Sequence, residues 1–466
     1  MGVYFPQCTA IIRVRWENST PNNAQQFEEV SDLPILVKSV RVSINDYTQA
    51  DTFDMEIDYR NFPFDPRCIR AVAVTIAMEN AKSVFNADNS LKYISPRIDG
   101  DNPNVVFIGF ADEERITFDD QRRTVRLEGR DFTSLLIDKK YNKGAISLEK
   151  KVDEVISGIL SDLKETQELK LNNQVIGDLP ILSSFWGEKD LLSGKRSIKK
   201  DETYWDVIQD IVRRAGLIAY IELDRLVLAK PRNIYDKKKV KKFVYGKNIL
   251  NLEFFRKIGR RRGFNLLVRS LDLNSKTVIE AKIPAEATSA WSDETGISNT
   301  EVKLKKVKAD VTAGLKEEEE TARYMSFLVA DVTSKDHLIS IGEQLYEEIG
   351  RQEIEGNFET MEMATADGEN KEFNLLQIRN GTPLQIFLEQ GDLKVLADSN
   401  KSKEAVAKHL TARGWPQKVA SIFAQKYNSF GNIFYTKAVE FSLDNDQGFR
   451  CKVDFVNFIE TKAGQK

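Results

Sequence analysis

Side chains that commonly perform catalysis at neutral pH are scarce in this sequence. The 466-residue chain has three cysteines and two histidines, all far apart: Cys8, Cys68, Cys451, His337 and His409. No CxxC pair occurs, and neither histidine has a cysteine or second histidine at metal-ligand spacing. Phosphate-loop, dinucleotide, zinc-protease and nucleophile-elbow motifs are also missing. We therefore expect no catalytic residue, no metal and no cofactor, and a protein that is not an enzyme.

Three carboxylates at alternate positions form the clearest acidic group. Asp54, Glu56 and Asp58 alternate with apolar residues in the run TFDMEIDY (52–59). This period of two is typical of a strand with one buried face, so the three carboxylates share the other face. Such a group can imitate a site for a hard cation, because these ions prefer carboxylate oxygens. The interpretation that we favour is an exposed strand face.

The remaining charge is distributed unevenly. Residues 191–262 contain 20 Lys and Arg against 8 Asp and Glu, a local net charge of +12; the whole chain has −3, so the rest carries −15. Such clusters bind acidic protein surfaces or nucleic-acid phosphates. Aromatic interleaving is weak, so a protein or self-assembly contact is favoured over a solvated surface or a nucleic-acid site. The basic residues of this candidate contact are Lys195, Arg196, Lys199, Lys200, Lys237, Lys238, Lys239, Lys241, Lys242, Arg260, Arg261 and Arg262.

The composition limits the class of protein. With 41% hydrophobic and 30% charged residues, the chain has material for about three domains. No apolar run approaches the roughly 18 residues of a membrane helix, so we expect no membrane span. The N-terminal apolar stretch is cut by Arg13 and Arg15, which argues against a secretory signal. The near-neutral total charge argues against a globally basic nucleic-acid binder.

The patterns change from β to α/β and back along the chain. The first 135 residues predict short strands, at 36–44, 52–59, 71–78, 105–111 and 124–128. Apolar residues at helical spacing predict a helix up to residue 163, with Ser147 as its N-cap. A second helix is predicted at 203–215, ended by Gly216 and followed by a hairpin at 217–229.

The second half predicts strands interrupted by insertions. Strands are predicted at 249–255, 264–271, 277–283, 353–363, 373–379, 384–388 and in a closing hairpin around 444–448. A polar stretch at 285–335, a helix at 335–350 and a helical pair at 399–428 separate them. The expected fold class is α+β, mainly β.

Several stretches, in this order, resemble the baseplate hub family of phage tails, the late control protein D group. They are VRVSINDYTQADTFDMEID (40–58), the segment 107–138 ending in Gly-Arg-Asp and a short helix, the helix–Gly–hairpin at 204–231, GNFETMEM…FNLLQIRNGTPLQIF (356–387) and the closing hairpin 433–458. The resemblance extends over nearly the whole chain. The helical pair 399–428 and the polar stretch 285–335 depart from the family pattern.

The resemblance implies two tube-like β-barrel domains flanking a small α/β domain, with helical insertions in the second half. The implied domains are 1–138, 139–244 and 245–466, the last with a core of 245–284, 353–390 and 430–466 and with insertions 285–352 and 391–429. Three copies would form a pseudo-sixfold ring between a hexameric tail tube and a trimeric spike.

The implied partners are therefore a homotrimer, tail tube protein, spike protein and other baseplate proteins. DNA would be only a passing cargo, and the location a virion tail assembled in the host cytoplasm. In such a ring Asp54, Glu56 and Asp58 would face the lumen, where carboxylates repel phosphates.

Three alternatives stay open at this point. One is a tail-associated, envelope-degrading enzyme with two carboxylates. Another is a nucleic-acid-binding module built on the basic region. The last is the same hub fold in a bacterial contractile injection system.

Overall fold

The fold is seen in a computed structural model. It describes residues 6–18, 27–47, 49–62, 69–80, 104–118, 123–148, 150–163, 181–185, 195–196, 198, 201–229, 240–246, 248–256, 264–272, 277–283, 286–291, 298–303, 323–330, 332, 335, 338–339, 341–342, 345, 354–361, 374–388, 403–418, 420, 433–444 and 448–457. Within these ranges the protein is mainly β with a few helices, which confirms the α+β, mainly β fold class.

The first β region is a sheet that closes on itself. Its strands are β1 (Pro6–Asn18), β2 (Phe27–Leu36), β3 (Ser39–Ile44), β4 (Thr52–Asp58), β5 (Ile69–Asn80), β6 (Val105–Phe118) and β7 (Arg123–Arg130). The order β2-β1-β5-β6-β7-β4-β3 is antiparallel throughout. The order begins with β2 and ends with β3, and these two strands follow each other directly in the chain. The two ends of the order are therefore joined, and the region closes.

The α/β region follows the first β region. Its elements are α1 (Thr133–Asp138), β8 (Ile146–Ser147), α2 (Val152–Ser161), β9 (Ile181–Phe185), β10 (Lys195–Arg196), α3 (Tyr204–Arg214), β11 (Ile218–Glu222) and β12 (Arg225–Ala229). The predicted start of α2 is wrong, because Ser147 lies in β8 and the helix begins five residues later at Val152. Helix α3 agrees with its prediction, and Gly216 follows it with φ 68°.

The second β region closes in the same manner. Its strands are β13 (Lys241–Tyr245), β14 (Asn251–Arg256), β20 (Ile354–Thr360), β21 (Pro383–Leu388), β22 (Ile433–Asp444) and β23 (Gly448–Asn457). They pair in the order β14-β20-β23-β22-β21-β13. Only residues 246–250 separate β13 from β14, so this order also returns to its start. Residues 374–377 form a 3-10 turn where a strand is predicted.

A smaller unit is inserted between β14 and β20. It contains β15 (Phe264–Asp272), β16 (Thr277–Ile283), the hairpin of β17 (Glu286–Trp291) and β18 (Ser298–Lys303), and β19 (Arg323–Ala330). Strands β16, β15 and β19 form their own sheet over a separate apolar cluster. The strands at 264–283 therefore lie outside the large sheet, although the sequence assigns them to the core of the second β region. Their pairing with β19 is parallel and nonlocal, so strand patterns do not indicate it.

The two β regions share one sheet and one core. Strand β22 pairs with β3, which joins the first and last strands of the chain into a 13-stranded sheet. The main apolar cluster includes Ile12, Met55 and Leu127 of the first region together with Phe358 and Phe455 of the second. The hairpin β11–β12 packs on this sheet through Tyr435 and Val456. Helix α4 (Lys403–Ala412) lies within the predicted helical pair, and residues 417, 418 and 420 after it are also helical.

Candidate functional site: the polar face of the large sheet

Eight consecutive strands of the large sheet present one polar surface. Their order is β14-β20-β23-β22-β3-β4-β7-β6, and every neighbouring pair is antiparallel. Burial alternates along them, as in β4, where Phe53, Met55 and Ile57 are buried and the residues between them are partly exposed. We call the outward side of these eight strands the polar face. Four of its strands come from each β region.

Asp54, Glu56 and Asp58 lie together on the polar face of β4, the sixth strand of this arc. Strand β4 holds them there because its alternate residues fill the core. Each carboxylate has a cation within the chain. Arg126 of β7 holds Asp54 with two hydrogen bonds, of 2.8 and 2.6 Å, and Lys38 Nζ lies 2.9 Å from Glu56 Oε1.

Asp58 forms the third pair, with its near neighbour Arg60. The guanidinium and main-chain N–H of Arg60 both donate to the carboxylate, and these hydrogen bonds lower the pKa of Asp58 to about 2. The carboxylate thus stays ionised throughout the physiological range.

The same pairing of charges extends across the polar face. Arg41 of β3 lies 3.5 Å from Glu440 of β22, and Arg126 also contacts Glu128 at 3.0 Å. At the far side, Arg450 of β23 lies 3.5 Å from Glu359 of β20. Exposed pairs like these stabilise a protein by only about 0–1 kcal/mol each. Their main effect is that these particular cations are already engaged by carboxylates.

The sequence did not indicate these partners, although one signal was available. The run RTVRLEGR of β7 alternates in the same way as β4, with Val125 and Leu127 buried. Two adjacent alternating strands, one acidic and one basic on the exposed side, favour cross-strand ion pairs. The sequence does not show that β4 and β7 are neighbours in the sheet.

The structure describes four of the twelve predicted basic residues, so the predicted contact surface stays a prediction. Arg196 is only 3% exposed, and its guanidinium is held by Glu202 and Asp210 at 3.0 and 2.5 Å, so it stabilises the α/β region internally. Lys242 is exposed on β13, and Lys241 beside it is half-buried. The backbone of Lys195 lies in β10. The others lie outside the described residues: Lys199, Lys200, Lys237, Lys238, Lys239, Arg260, Arg261 and Arg262.

The Gly-Arg-Asp segment at 129–131 has a structural role at the end of β7. A Cβ on Gly129 would overlap the Phe110 carbonyl oxygen of β6, so only glycine fits. Arg130 binds Asp112 and Asp138 at 2.6 and 3.1 Å. Asp131 accepts a hydrogen bond from the Thr133 N–H, 2.9 Å, at the start of α1.

A buried arginine joins the two β regions near this segment. Arg379 donates hydrogen bonds to the carbonyl oxygens of Leu376, Ile378 and Val105, at 2.8, 2.9 and 3.0 Å. Val105 begins β6 of the first region, whereas Arg379 belongs to the second. Burial lowers the pKa of Arg379, and the nearby carboxylates of Glu222 and Asp51 oppose that shift.

Two aspartates with raised pKa values lie at the same junction. Burial is the main cause for both, and it raises the pKa of Asp131 to about 7. The pKa of Asp51 is also well above its usual value, because of burial and of the nearby Asp131. Asp51 binds the Asn45 N–H at 2.8 Å. These groups hold main-chain segments in place, and nothing in their geometry resembles a nucleophile with its base.

Other features of the described residues add no reactive group. Cys8 and Cys451 are buried, and burial raises both thiol pKa values. Within the described ranges, no three His, Cys, Asp or Glu side chains are grouped so that they could hold a metal ion. No helix in the same ranges is long and apolar enough to cross a membrane.

Comparison with known proteins identifies the fold. No protein-family model matches the chain, and no curated protein matches it either. Among solved structures, the tail protein from Neisseria meningitidis MC58 superposes with a TM-score of 0.53 at 12% identity, over 97% of this chain and 96% of that one. The 43 kDa tail protein of prophage MuSo2 from Shewanella oneidensis gives 0.52 at 12% identity, over 97% and 98%.

The chain therefore has the fold of phage tail proteins from one end to the other. The predicted resemblance to phage tail proteins is thus confirmed at the level of the fold.

Proposed function

We propose that the chain is a structural hub of a phage tail. Three copies form a pseudo-sixfold ring between the hexameric tail tube and a trimeric spike, and the polar face lines its lumen. The observation that carries this proposal is the eight-stranded antiparallel arc with four strands from each β region. Two similar units per chain let three chains match a sixfold partner on one side and a threefold partner on the other.

The size of the arc fits a channel. Eight strands at about 4.8 Å each, taken three times, give a circumference of about 115 Å and a diameter of about 37 Å between backbones. Tube, spike and other baseplate proteins would then be the neighbours of the ring, in a virion tail assembled in the host cytoplasm.

The charges of the polar face suit a passing polyanion. A bare carboxylate repels phosphate, and a guanidinium already bound by a carboxylate offers little to it. Asp54, Glu56 and Asp58 each engage a cation of their own surface. DNA would thus cross the lumen without binding to it.

The first experiment tests the ring. Mass photometry of the purified chain, followed by electron-microscopy class averages, should show a trimer with a central hole. A particle that contains no ring of this chain at the tube–spike junction would contradict the proposal.

The second experiment tests the lumen. Replacing Asp54, Glu56 and Asp58 with Lys adds three cations and leaves Arg126 with Glu128 as its remaining carboxylate, so the particles should assemble and eject DNA more slowly by about tenfold or more. The control places three lysines on the exposed side of α2, with Glu154→Lys, Ser157→Lys and Ser161→Lys, a change of +4 against +6 in the test variant, and should eject normally. Equal ejection rates for the two triple variants would contradict the proposal that the polar face lines the lumen.

A further inference from the structure

The helical segment between β21 and β22 is not part of the polar face, and the proposed function does not use it. Residues 403–420 contain four Lys and Arg against one carboxylate, Glu404, so the segment has a local net charge of +3 in a chain whose total is −3. The segment also departs from the family pattern. It is therefore a candidate for a contact of its own.

The main chain at the end of α4 forms a tight, hydrogen-bonded corner. The Gly414 N–H donates to the Thr411 carbonyl oxygen at 3.0 Å, and the Trp415 N–H donates to that of Leu410 at 3.1 Å. Gly414 adopts the left-handed conformation that this helix ending requires, with φ 88°. The two hydrogen bonds define the direction in which the chain, and with it Trp415, leaves the helix.

This corner is exposed over its whole length. All eight residues from 411 to 418 are exposed, and a Cβ added to Gly414 would meet nothing within 4 Å. The side chain of Trp415, in the middle of the run, is 41% exposed. An indole in this position gains free energy when a partner takes up its ring.

Exposed cations lie on both sides of the indole in the sequence. Arg413 precedes Trp415 by two residues, Lys418 follows it by three, and Lys408 lies one helical turn before the end of α4. Neither Lys408 nor Lys418 has a carboxylate partner among the described residues. On the polar face, by contrast, carboxylates hold the cations of β7 and of the residue before β3. The two lysines of the corner are therefore available to an anion.

An exposed indole among available cations suits the head-group layer of an anionic membrane. Tryptophan prefers the boundary between lipid and water, because its ring is apolar and its N–H is polar, and nearby lysines are attracted to anionic head groups. Sequence-independent binding of single-stranded nucleic acid instead combines a basic groove with several aromatic rings. Residues 403–420 contain one Phe, Trp or Tyr, on a protruding corner, so lipid is the better match.

We propose that the corner at 411–418 binds the surface of an anionic lipid membrane. Trp415 enters the boundary between head groups and acyl chains, and Lys408 and Lys418 lie against the lipid phosphates. The contact is peripheral, so it needs no membrane-spanning helix. It is independent of the proposed ring, because each chain carries a complete corner.

Vesicle binding tests the charges of the corner. The full chain should co-sediment with vesicles of equal parts phosphatidylglycerol and phosphatidylcholine, and about tenfold less with phosphatidylcholine alone. Lys408→Glu with Lys418→Glu should lower binding to the anionic vesicles by about tenfold or more. The control, Lys150→Glu with Lys151→Glu, reverses two exposed lysines beside α2 and should bind as the wild type does. Equal losses in the two double variants would overturn the assignment to the corner.

Fluorescence quenching tests the indole. Vesicles with brominated acyl chains quench tryptophans that enter the lipid, so the wild-type chain should lose fluorescence when it binds. Trp415→Phe keeps the other four tryptophans and should remove this quenching. Trp415→Ala should also weaken binding by about fivefold or more, because the apolar ring is lost. Quenching that persists in Trp415→Phe would contradict the entry of the indole into the lipid.

The outcomes separate lipid from nucleic acid, and this proposal from the proposed function. A chain that binds single-stranded or duplex DNA through Lys408 and Lys418, but not anionic vesicles, overturns the lipid assignment. A chain that forms the trimeric ring and does not bind the vesicles also overturns it, and leaves the hub standing. A chain that binds the vesicles through the corner and never forms a trimer supports the lipid contact and contradicts the ring.

Discussion

Gly129 and Gly158 show how differently two glycines are used. A Cβ on Gly129 would overlap the main chain of β6, whereas Gly158, on the exposed side of α2, has open space around it. The first glycine lets two strands approach closely, and the second only weakens its helix, because glycine loses more backbone entropy than alanine.

Alanine at these two positions should therefore have opposite effects. Gly129→Ala should lower the free energy of unfolding by about 1–3 kcal/mol through overpacking. Gly158→Ala should raise it by about 0.5–1 kcal/mol. Urea titration of both variants measures the difference, and a tolerated Gly129→Ala would contradict the close approach of β6 and β7.

Asp131 should make stability depend on pH. Its pKa is about 7 in the folded chain and near 3.8 when unfolded, so the folded state holds the proton more tightly. The corresponding stability is complete below about pH 4 and is lost as the pH rises through 7. The loss is on the order of 4 kcal/mol for a shift of this size.

Asp131→Asn keeps the acceptor for the Thr133 N–H and removes the titration. The variant should therefore lose less thermal stability than the wild type between about pH 5 and about pH 8. Parallel melting curves of the two proteins at both pH values would show it. Identical pH profiles would rule out Asp131 as the titrating group.

At the scale of elements, local patterns in the sequence predicted individual helices and strands best. Alternation predicted β4, and the apolar stripe before Gly216 predicted α3, whose start is fixed by a reciprocal Thr203–Asp206 capping box. The errors have local causes. Ser147 fits a cap by residue type, but its backbone pairs with β10, and residues 374–377 have a strand-like composition yet form a 3-10 turn.

The basic region shows that charge counts do not indicate burial. Arg196 was grouped with surface lysines, yet it is a buried residue of β10 and holds Glu202 and Asp210. Charge density is read along the chain, whereas burial depends on how α3 packs, so the sequence could not separate these two kinds of cation.

Arg196→Ala and Lys242→Ala should distinguish a buried cation from an exposed one by their effects on the free energy of unfolding. Removing Arg196 deletes a buried guanidinium and leaves partly buried Glu202 without it, whereas Asp210 keeps Arg214, so the change should cost about 3 kcal/mol of the free energy of unfolding. Lys242 is exposed, so its removal should change stability by less than about 0.5 kcal/mol. Comparable stabilities for both variants would contradict the internal role of Arg196.

At the scale of the whole molecule, the decisive contact is the pairing of β3 with β22. It places strands from opposite ends of the chain side by side and merges two apolar cores into one. Strand patterns indicate which residues face inward but not which strands are neighbours. The polar face could therefore be predicted only in part. The sequence indicated its acidic strand, but not the eight-stranded arc to which this strand belongs.

The merged core predicts that neither β region is independent. Residues 1–138 produced alone would expose the edge of β3 and the apolar residues that pack on β22, so this fragment should aggregate or associate. Size-exclusion chromatography of the fragment beside the full chain measures this. A well-folded monomeric fragment would contradict the shared core.

The unit between β14 and β20 leaves and rejoins the large sheet at directly paired positions, Arg256 and Ile354. The two strands are thus positioned by each other, and chain length between them costs little, since closure entropy grows only slowly with loop size. A change in the length or content of this unit should therefore leave the pairing of β14 with β20, and the large sheet around them, unchanged.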